Sequence, residues 1–465
     1  ASSSIAVPMR SCSSGRRPGC TRSRDAGTIS AAGAGTAWFA QQLRETALTT
    51  LVTSKPLTPT QRALAVVLIV AATFLLSVSV GMNAVVFPTA LESYGASNTV
   101  VGIVMAIEFI SVFAISFGLS RILRFMSLRT GLALSALFRM PPLILLAYFT
   151  DISPWLLLVF VHGVGNFLNQ ILLQTWINSL PFRRSRGFAM ALFGTSISLG
   201  LACGPVLLQF IDQLEPFVAR LVPTIDATIA QYIGLQRPEA VSALTQTKLL
   251  VSALITTLAA VPTLLGGFLI PRFRPSSSSS IVESVRLAPA IMFAVAVSGV
   301  SILGVQSFIT LYGIKNQLSI GDASLLLTAF MLGSILLEIP IAWISDFFDR
   351  RYVMMLLVLL SLVCAAYLPI AIYTPLIAWG LLFLWGGVIG GLFSVCLAMT
   401  ADRFTGSRLV GANAAFSIMD NIGGMIGILL IGISMDLFGS DGLPYVIMFA
   451  GVVYFSFALT RYQVR

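Results

Sequence analysis

Residues 271–287 read PRFRPSSSSSIVESVRL, a polar, Ser-rich run between two long apolar blocks. Such a composition makes a flexible linker. Outward from it, the sequence holds six apolar stretches on either side, each near the ~20 residues needed to cross a bilayer core of ~30 Å. They are 63–90, 98–118, 130–149, 154–179, 187–211 and 248–270 before the linker, and 288–311, 322–344, 352–372, 376–399, 409–434 and 443–460 after it. In lipid each must close its own backbone hydrogen bonds, so each is expected as a helix. The first stretch is long and contains Pro88, which predicts a tilt or a kink near its end. The expected fold is all-α and polytopic. Its twelve transmembrane helices form two pseudo-symmetric six-helix bundles, 61–270 and 288–465, joined by a cytoplasmic linker at 271–287.

Composition agrees. Of 465 residues, 57% are hydrophobic and 10% charged, against about a quarter charged in a soluble domain. A soluble enzyme is excluded. Five cysteines do not make a disulfide scaffold, and the single histidine, His162, excludes a His-rich metal site. The chain has no G-x-x-x-x-G-K-[ST] phosphate loop and no Cys/His spacing that suits zinc, so neither ATP nor any other cofactor is expected.

The net charge of +10 is unevenly placed. Residues 1–62 carry eight basic and two acidic side chains. Residues 1–60 are expected as a disordered basic tail, with a short surface helix at 37–52; an Arg/Ser-rich, acid-poor leader also has the composition of an organellar transit peptide. Beyond the tail, loops after even-numbered helices and the C-terminus hold 15 arginines, among them Arg129, Arg183, Arg184, Arg272, Arg350 and Arg403. Loops after odd-numbered helices hold four basic residues, Arg220, Arg237, Lys248 and Lys315. This asymmetry predicts both termini in the cytoplasm and marks basic loops beside lipid, not a nucleic-acid surface. The bacterial cytoplasmic membrane is the expected location, with an organellar membrane as the alternative.

Internal repeats support the division. Tyr94-Gly95 follows the first helix and Tyr312-Gly313 the seventh. Phe193, Gly200 and Gly204 in helix 5 match Phe416, Gly423 and Gly427 in helix 11 at identical spacing. Two parallel halves related by an axis along the membrane normal are implied.

Ionisable groups at membrane depth cost roughly 2.5–3.5 kcal/mol each on insertion scales and need a partner or a wet cavity. Four stand out: Glu108, Arg139, Glu338 and Asp420. Glu108 in helix 2 and Arg139 in helix 3 reach similar depth, and the short connection between their helices predicts an ion pair, either static or broken and remade during function. Asp420, beside Asn421 near the midplane of helix 11, can take and release a proton, because a carboxyl out of water favours its neutral form; the alternative is a hydrogen-bonded structural Asp. Glu338, about 12 Å before Asp346 along helix 8, suits a gate or structural role better than a substrate role. Helix 4 carries His162, Asn166, Asn169, Gln170 and Gln174. The first four share a face, and a polar stripe in a membrane helix either lines a cavity or ties helices together. His162 is expected as a satisfied hydrogen bonder. Asn83 in helix 1 and Gln306 in helix 7 are further cavity candidates.

Between helices 8 and 9 runs Ile341-Ala342-Trp343-Ile344-Ser345-Asp346-Phe347-Phe348-Asp349-Arg350-Arg351. It resembles the G-x-x-x-D-R-x-G-R-R loop of the major facilitator superfamily, departing from it at Ala342, Phe347 and Asp349. The first-half copy, Gly118 to Arg129, keeps basic residues but no Asp. Arg186-Gly187, Glu338-Ile-Pro340 and Arg408-Leu-Val-Gly-Ala-Asn413 are similar to the YcaD-like and cyanate-permease-like branch. Helix 4 has Val159 near the place where many members carry Arg.

The resemblance implies a secondary active transporter that moves a small solute by alternating access. Protons are the expected coupling partner, the protein acts in a lipid bilayer as a monomer, and no nucleic acid takes part. The loop Asp346/Asp349/Arg350/Arg351, with Glu338, is expected as a cytoplasmic gate that bridges helices at that face and stabilises the outward-open state. Asp420, Glu108, Arg139, Asn166, Asn169, Gln170, Gln174, Asn83, Gln306 and Asn421 are the candidates for solute binding and proton coupling. Arg139 tilts the expected cargo slightly toward an anion. The alternative function is a non-transporting receptor or sensor on a transporter-like scaffold.

Overall fold

The structure, a computed structural model, describes residues 58–125, 127–180, 186–213, 243–269, 281–404 and 407–463. The expectations for the tail, for the serine run at 276–280 and for most of the 212–247 loop lie outside the described residues, as do the side chains of Arg121, Arg124, Arg183, Arg184, Arg186 and Arg408. Twelve helices of 19 to 35 residues occur among the described residues. They are α1 (Pro59–Ser93), α2 (Asn98–Phe125), α3 (Leu128–Leu146), α4 (Ile152–Ser179), α5 (Arg186–Gln213), α6 (Ala243–Leu265), α7 (Pro289–Lys315), α8 (Ile320–Ser345), α9 (Arg350–Ala371), α10 (Pro375–Arg403), α11 (Ser407–Phe438) and α12 (Gly442–Gln463). Each coincides with one expected span to within a few residues.

Among the described residues nine stretches are long and apolar enough to cross a bilayer, and the last, 411–460, runs through both α11 and α12. α2 adds a shorter apolar stretch, Asn98–Phe113. α3 fits 19 residues around Arg129 and Arg139.

Helix starts are written locally. Thr58 caps α1 in a reciprocal box with Gln61, and Pro59 occupies the first turn, where its missing N–H costs nothing. Ser127, Ser319 and Asp349 cap α3, α8 and α9. Pro88 is taken up inside α1, which runs on to Ser93.

Contacts gather Ser54–Arg465 into one unit. Within the first half α1 packs on α5 and α6, α4 on α2 and α3, and α3 on α6. The second half repeats every pairing six helices later: α7 on α11 and α12, α10 on α8 and α9, α9 on α12. Between halves, α2 packs on α11, α5 on α8, and α1 on α7. That set maps onto itself when the halves exchange, as an axis along the membrane normal requires.

The repeated glycines make the equivalent contacts. A Cβ on Gly204 would stand 2.5 Å from the Met82 amide nitrogen of α1, and one on Gly81 would stand 2.5 Å from the Leu201 carbonyl oxygen of α5. Gly423 and Gly427 lie against Ala296 and Val300 of α7 in the same way, and Gly299 of α7 lies against the Asp420 backbone. Small residues let the backbones touch, where dispersion can hold helices together in lipid.

Two expectations change. The described end of the linker, Ile281–Leu287, is a short helix packed on α11, with Ser284 buried and Leu287 exposed. The two Tyr-Gly pairs also part company. Gly95 ends α1 at φ +83°, whereas Gly313 stays helical against Ala323 of α8 and Gln317 takes the positive φ of 67°.

Gly204→Val and Gly423→Val should each cost ~1–3 kcal/mol by overpacking and lower the melting temperature in detergent by several degrees. Gly194→Ala, with nothing within 4 Å of its new methyl group, should leave it unchanged; differential scanning fluorimetry compares them.

Candidate functional site

Between the halves lies a cavity of about 250 Å³, lined from α1, α2, α4, α5, α7 and α11. Its polar groups are the carboxyls of Glu108 and Asp420, the amides of Asn166, Gln170, Gln306 and Asn421, and the hydroxyls of Thr73, Ser77 and Ser307. Leu76, Phe109, Phe167, Phe193, Ile197 and Leu303 supply apolar wall. Six of the ten expected binding residues therefore meet in one space.

Asn166 Nδ2 donates to Glu108 Oε1 at 3.2 Å, so α4 holds the carboxyl of α2 in place. Asp420 comes from the other half. Its Oδ1 is buried against Gly299 without a hydrogen-bond donor. Asn421 Nδ2 donates to its own helix at Ser417 O, 2.7 Å. Among the described residues neither Gln170 nor Gln306 has a protein hydrogen-bond partner, which leaves both amides to the cavity.

The other four expected residues lie elsewhere. Arg139 is fully buried, and none of its three guanidinium nitrogens has a hydrogen-bond partner. The expected ion pair with Glu108 does not form. A short connection joins the ends of α2 and α3 but does not press the helices together; α4 lies against both. Gly163 abuts Glu108 and Ser111 of α2, and Gly165 abuts Ser135, Phe138 and Arg139 of α3. Asn169 Nδ2 donates to Ser135 Oγ at 3.0 Å, tying α4 to α3. Asn83 Oδ1 accepts from Ser252 Oγ at 2.7 Å, within a hydroxyl cluster of Ser79, Ser252 and Thr256 that joins α1 to α6. Gln174 is exposed, away from the cavity.

The α4 stripe thus divides. At ~100° per residue, 162 and 169 fall toward one side of the stripe and 166 and 170 toward the other. His162 Nδ1 lies 3.1 Å from Arg139 O, and its ring meets Phe87 edge-on. It serves α3, whereas Asn166 and Gln170 serve the cavity.

On the face that carries the loops after even-numbered helices, Arg350 bonds Asp346 at 2.6 Å and also Asp402 at the end of α10. Asp349 Oδ1 accepts from Arg351 N at 2.9 Å and caps α9. Glu338 accepts from Ser394 Oγ of α10. All these described partners belong to the second half, so the network joins α8, α9 and α10. Asp402 went unrecognised because it lies 52 residues from Arg350, outside the loop motif.

The opposite face carries bonds between the halves that the sequence reading missed. Asp436 of α11 accepts from Asn98 N (2.9 Å), Asn98 Nδ2 (2.7 Å), Thr99 N (2.8 Å) and Thr99 Oγ1 (2.5 Å) at the start of α2. It satisfies the first amides of α2 from across the interface, where a carboxylate also suits the helix dipole. Lys315 pairs with Glu92 at 3.1 Å, and Gln209 Nε2 donates to Gly321 O at 2.8 Å. Deeper, Thr328 Oγ1 donates to Ala202 O at 3.1 Å. The only local signal was a lone Asp two residues before the end of α11.

Comparison with known proteins gives one frame. The sequence profile of the Major Facilitator Superfamily matches residues 69–218 and 290–464. An uncharacterized MFS-type transporter of Bacillus subtilis (strain 168), YfkF, is 23% identical over 302 residues, covering 63% of this chain and 68% of that protein. The fold is similar to that of a bacterial homolog to the human lysosomal transporter Spinster in an inward-facing, occupied conformation (TM-score 0.69, 13% identity, 88% of this chain and 97% of that one). It is also similar to the nucleoside transporter NupG (TM-score 0.64, 12% identity, 86% and 98%) and to FucP in an outward conformation (TM-score 0.55, 17% identity, 86% and 99%).

A buried charge without a partner destabilises its surroundings by several kcal/mol. Arg139→Met should therefore raise the melting temperature in detergent by several degrees. A fall of similar size would show that the guanidinium is partnered.

Proposed function

Because this chain belongs to the Major Facilitator Superfamily, and is a membrane transporter by that membership, we propose that it is a proton-coupled secondary carrier working by alternating access. The carrying observation is the single cavity to which each half contributes one carboxyl, Glu108 from the first and Asp420 from the second. Rocking the halves apart on one face and together on the other would expose these groups to each side in turn. Charged, they are costly to carry through a dry intermediate; neutral, they pass cheaply. Protonation is thus a condition of crossing.

The bonds between halves on the face of the odd-numbered loops, above all Asp436 on the start of α2, support a state closed on that face. Arg129, Arg286, Arg350, Arg351 and Arg403 on the other face favour that face as the cytoplasmic one. The closed side is then external, and Asp436, Lys315–Glu92 and Gln209 form the external gate. The Arg350 network keeps α8 to α10 a rigid body during the motion. The stretches at Arg186-Gly187, Glu338–Pro340 and Arg408–Asn413 support placement in the YcaD-like branch.

The test needs no known cargo. A cysteine at Gln170, with the native cysteines replaced, is labelled by an impermeant maleimide from either side of the membrane, relative to a permeant one. Asp436→Ala should raise external labelling several-fold. Acidic buffer should speed external labelling in the parent protein, and Glu108→Gln with Asp420→Asn should remove that dependence. Labelling fixed to one side under every condition would refute alternating access; a pH response that survives both substitutions would refute proton coupling through this pair.

A further inference from the structure

Resting on the carrier reading, the lining of the central cavity assigns a class of cargo. We infer that the cavity binds an organic cation, its positive head between Glu108 and Asp420 and its apolar body against Phe109, Phe167 and Phe193.

The argument starts from a shortage of positive charge. Two carboxyls face the cavity, and no Arg, Lys or His is among its described lining residues. The nearest candidate for a cation, Arg139, is sealed behind α4, with Gly165 against its side chain. His162 is on that same side, bonded to the Arg139 carbonyl. Cys396 of α10 lies near Asp420 but is itself fully buried. The lining therefore offers two acids and no base, the reverse of what an anionic solute needs.

The hydrogen-bond count points the same way. Glu108 receives one side-chain donor, Asn166, on Oε1. Asp420 Oδ1 receives none. The Ser298 hydroxyl of α7 also lies within bonding reach of the Asp420 carboxyl, so each carboxyl has one neutral donor and no positive partner, which an ammonium group or a proton can supply. Cation and proton would then compete for the same two groups. Binding of the cation displaces protons to solvent, which is the linkage an exchanger requires.

The apolar wall sets the rest of the cargo. Phe109 and Phe167 meet edge-to-face with centroids 6.1 Å apart, and Phe193 of α5 joins them on the lining. Aromatic faces attract quaternary and primary ammonium groups as well as hydrocarbon. A volume of about 250 Å³ equals roughly eight waters at ~30 Å³ each, room for a single-ring amine but not for a large polycyclic one. Gln170 and Gln306, without protein partners, remain to bond a polar substituent.

The experiment uses the full chain in lipid nanodiscs and three probes of similar size: benzyltrimethylammonium, phenylacetate and uncharged phenylacetamide. Isothermal titration should detect the cation and neither of the others. Acidic buffer should weaken cation binding ~10-fold or more, because the proton occupies the same carboxyls. Glu108→Gln and Asp420→Asn should each weaken it several-fold and together abolish it, with melting curves confirming that each variant folds. Competition among the three probes on the unaltered protein needs no variant. Binding of phenylacetate in preference to the cation, binding of none of the three, or cation binding indifferent to both substitutions overturns the inference. Maleimide labelling separates this failure from the other. A cavity that changes sides but ignores the cation keeps the carrier and loses this cargo; a cation that binds to a cavity that never changes sides keeps the site and loses the carrier.

Discussion

The core of a bilayer offers no hydrogen bonds, and every feature of this molecule follows from that absence. Backbone amides close within helices. Apolar side chains gain nothing by leaving lipid for a neighbouring helix, so association depends on close backbone approach. Gly81, Gly200 and Gly204 provide it between α1 and α5, and Gly299, Gly423 and Gly427 provide it between α7 and α11. These two crossings hold the helices that carry Ser77, Gln306 and Asp420 at a fixed distance around the cavity.

The same scarcity sorts the polar side chains by fate. Some are consumed in joining helices: Ser79, Asn83, Ser252 and Thr256 between α1 and α6, Ser135 and Asn169 between α3 and α4. Others lie at the two faces, where Arg350 gathers two aspartates inside one half and Asp436 reaches from one half to the other. A third group, Glu108, Asn166, Gln170, Gln306, Asp420 and Asn421, faces the cavity with its bonding capacity partly unused. Unused capacity at membrane depth is what singles out this last group as the candidate site, since lipid-facing or tightly packed positions could not retain it.

Arg139 fits none of the three. It is as buried as any described residue, and its guanidinium has no hydrogen-bond partner among the described residues. Its placement removes the positive charge that had pointed to an anionic cargo and leaves Glu108 and Asp420 as the charged groups of the described lining. The consequence for function is large although the error in position is one helix: α4, through Gly163 and Gly165, stands between the two groups whose pairing had been expected.

Helix number among the described residues, span limits and the two-fold repeat were legible in the sequence, because each depends on local apolar length, capping residues and periodic glycines. Glu108, Asp420 and the helix 4 amides were legible as exceptions to that apolarity. Which of them met was not. Asn166 and Asn169 are three residues apart on one helix, yet one faces the cavity and the other faces α3. Asp402 and Asp436 gain their partners from 52 and 338 residues away. Sequence alone fixed what lipid tolerates along each helix, since that is a property of one segment in one solvent. Tertiary structure decided which polar group faces water, a neighbour or the opposite half, since helix rotation and order of packing are set by contacts that no single segment contains.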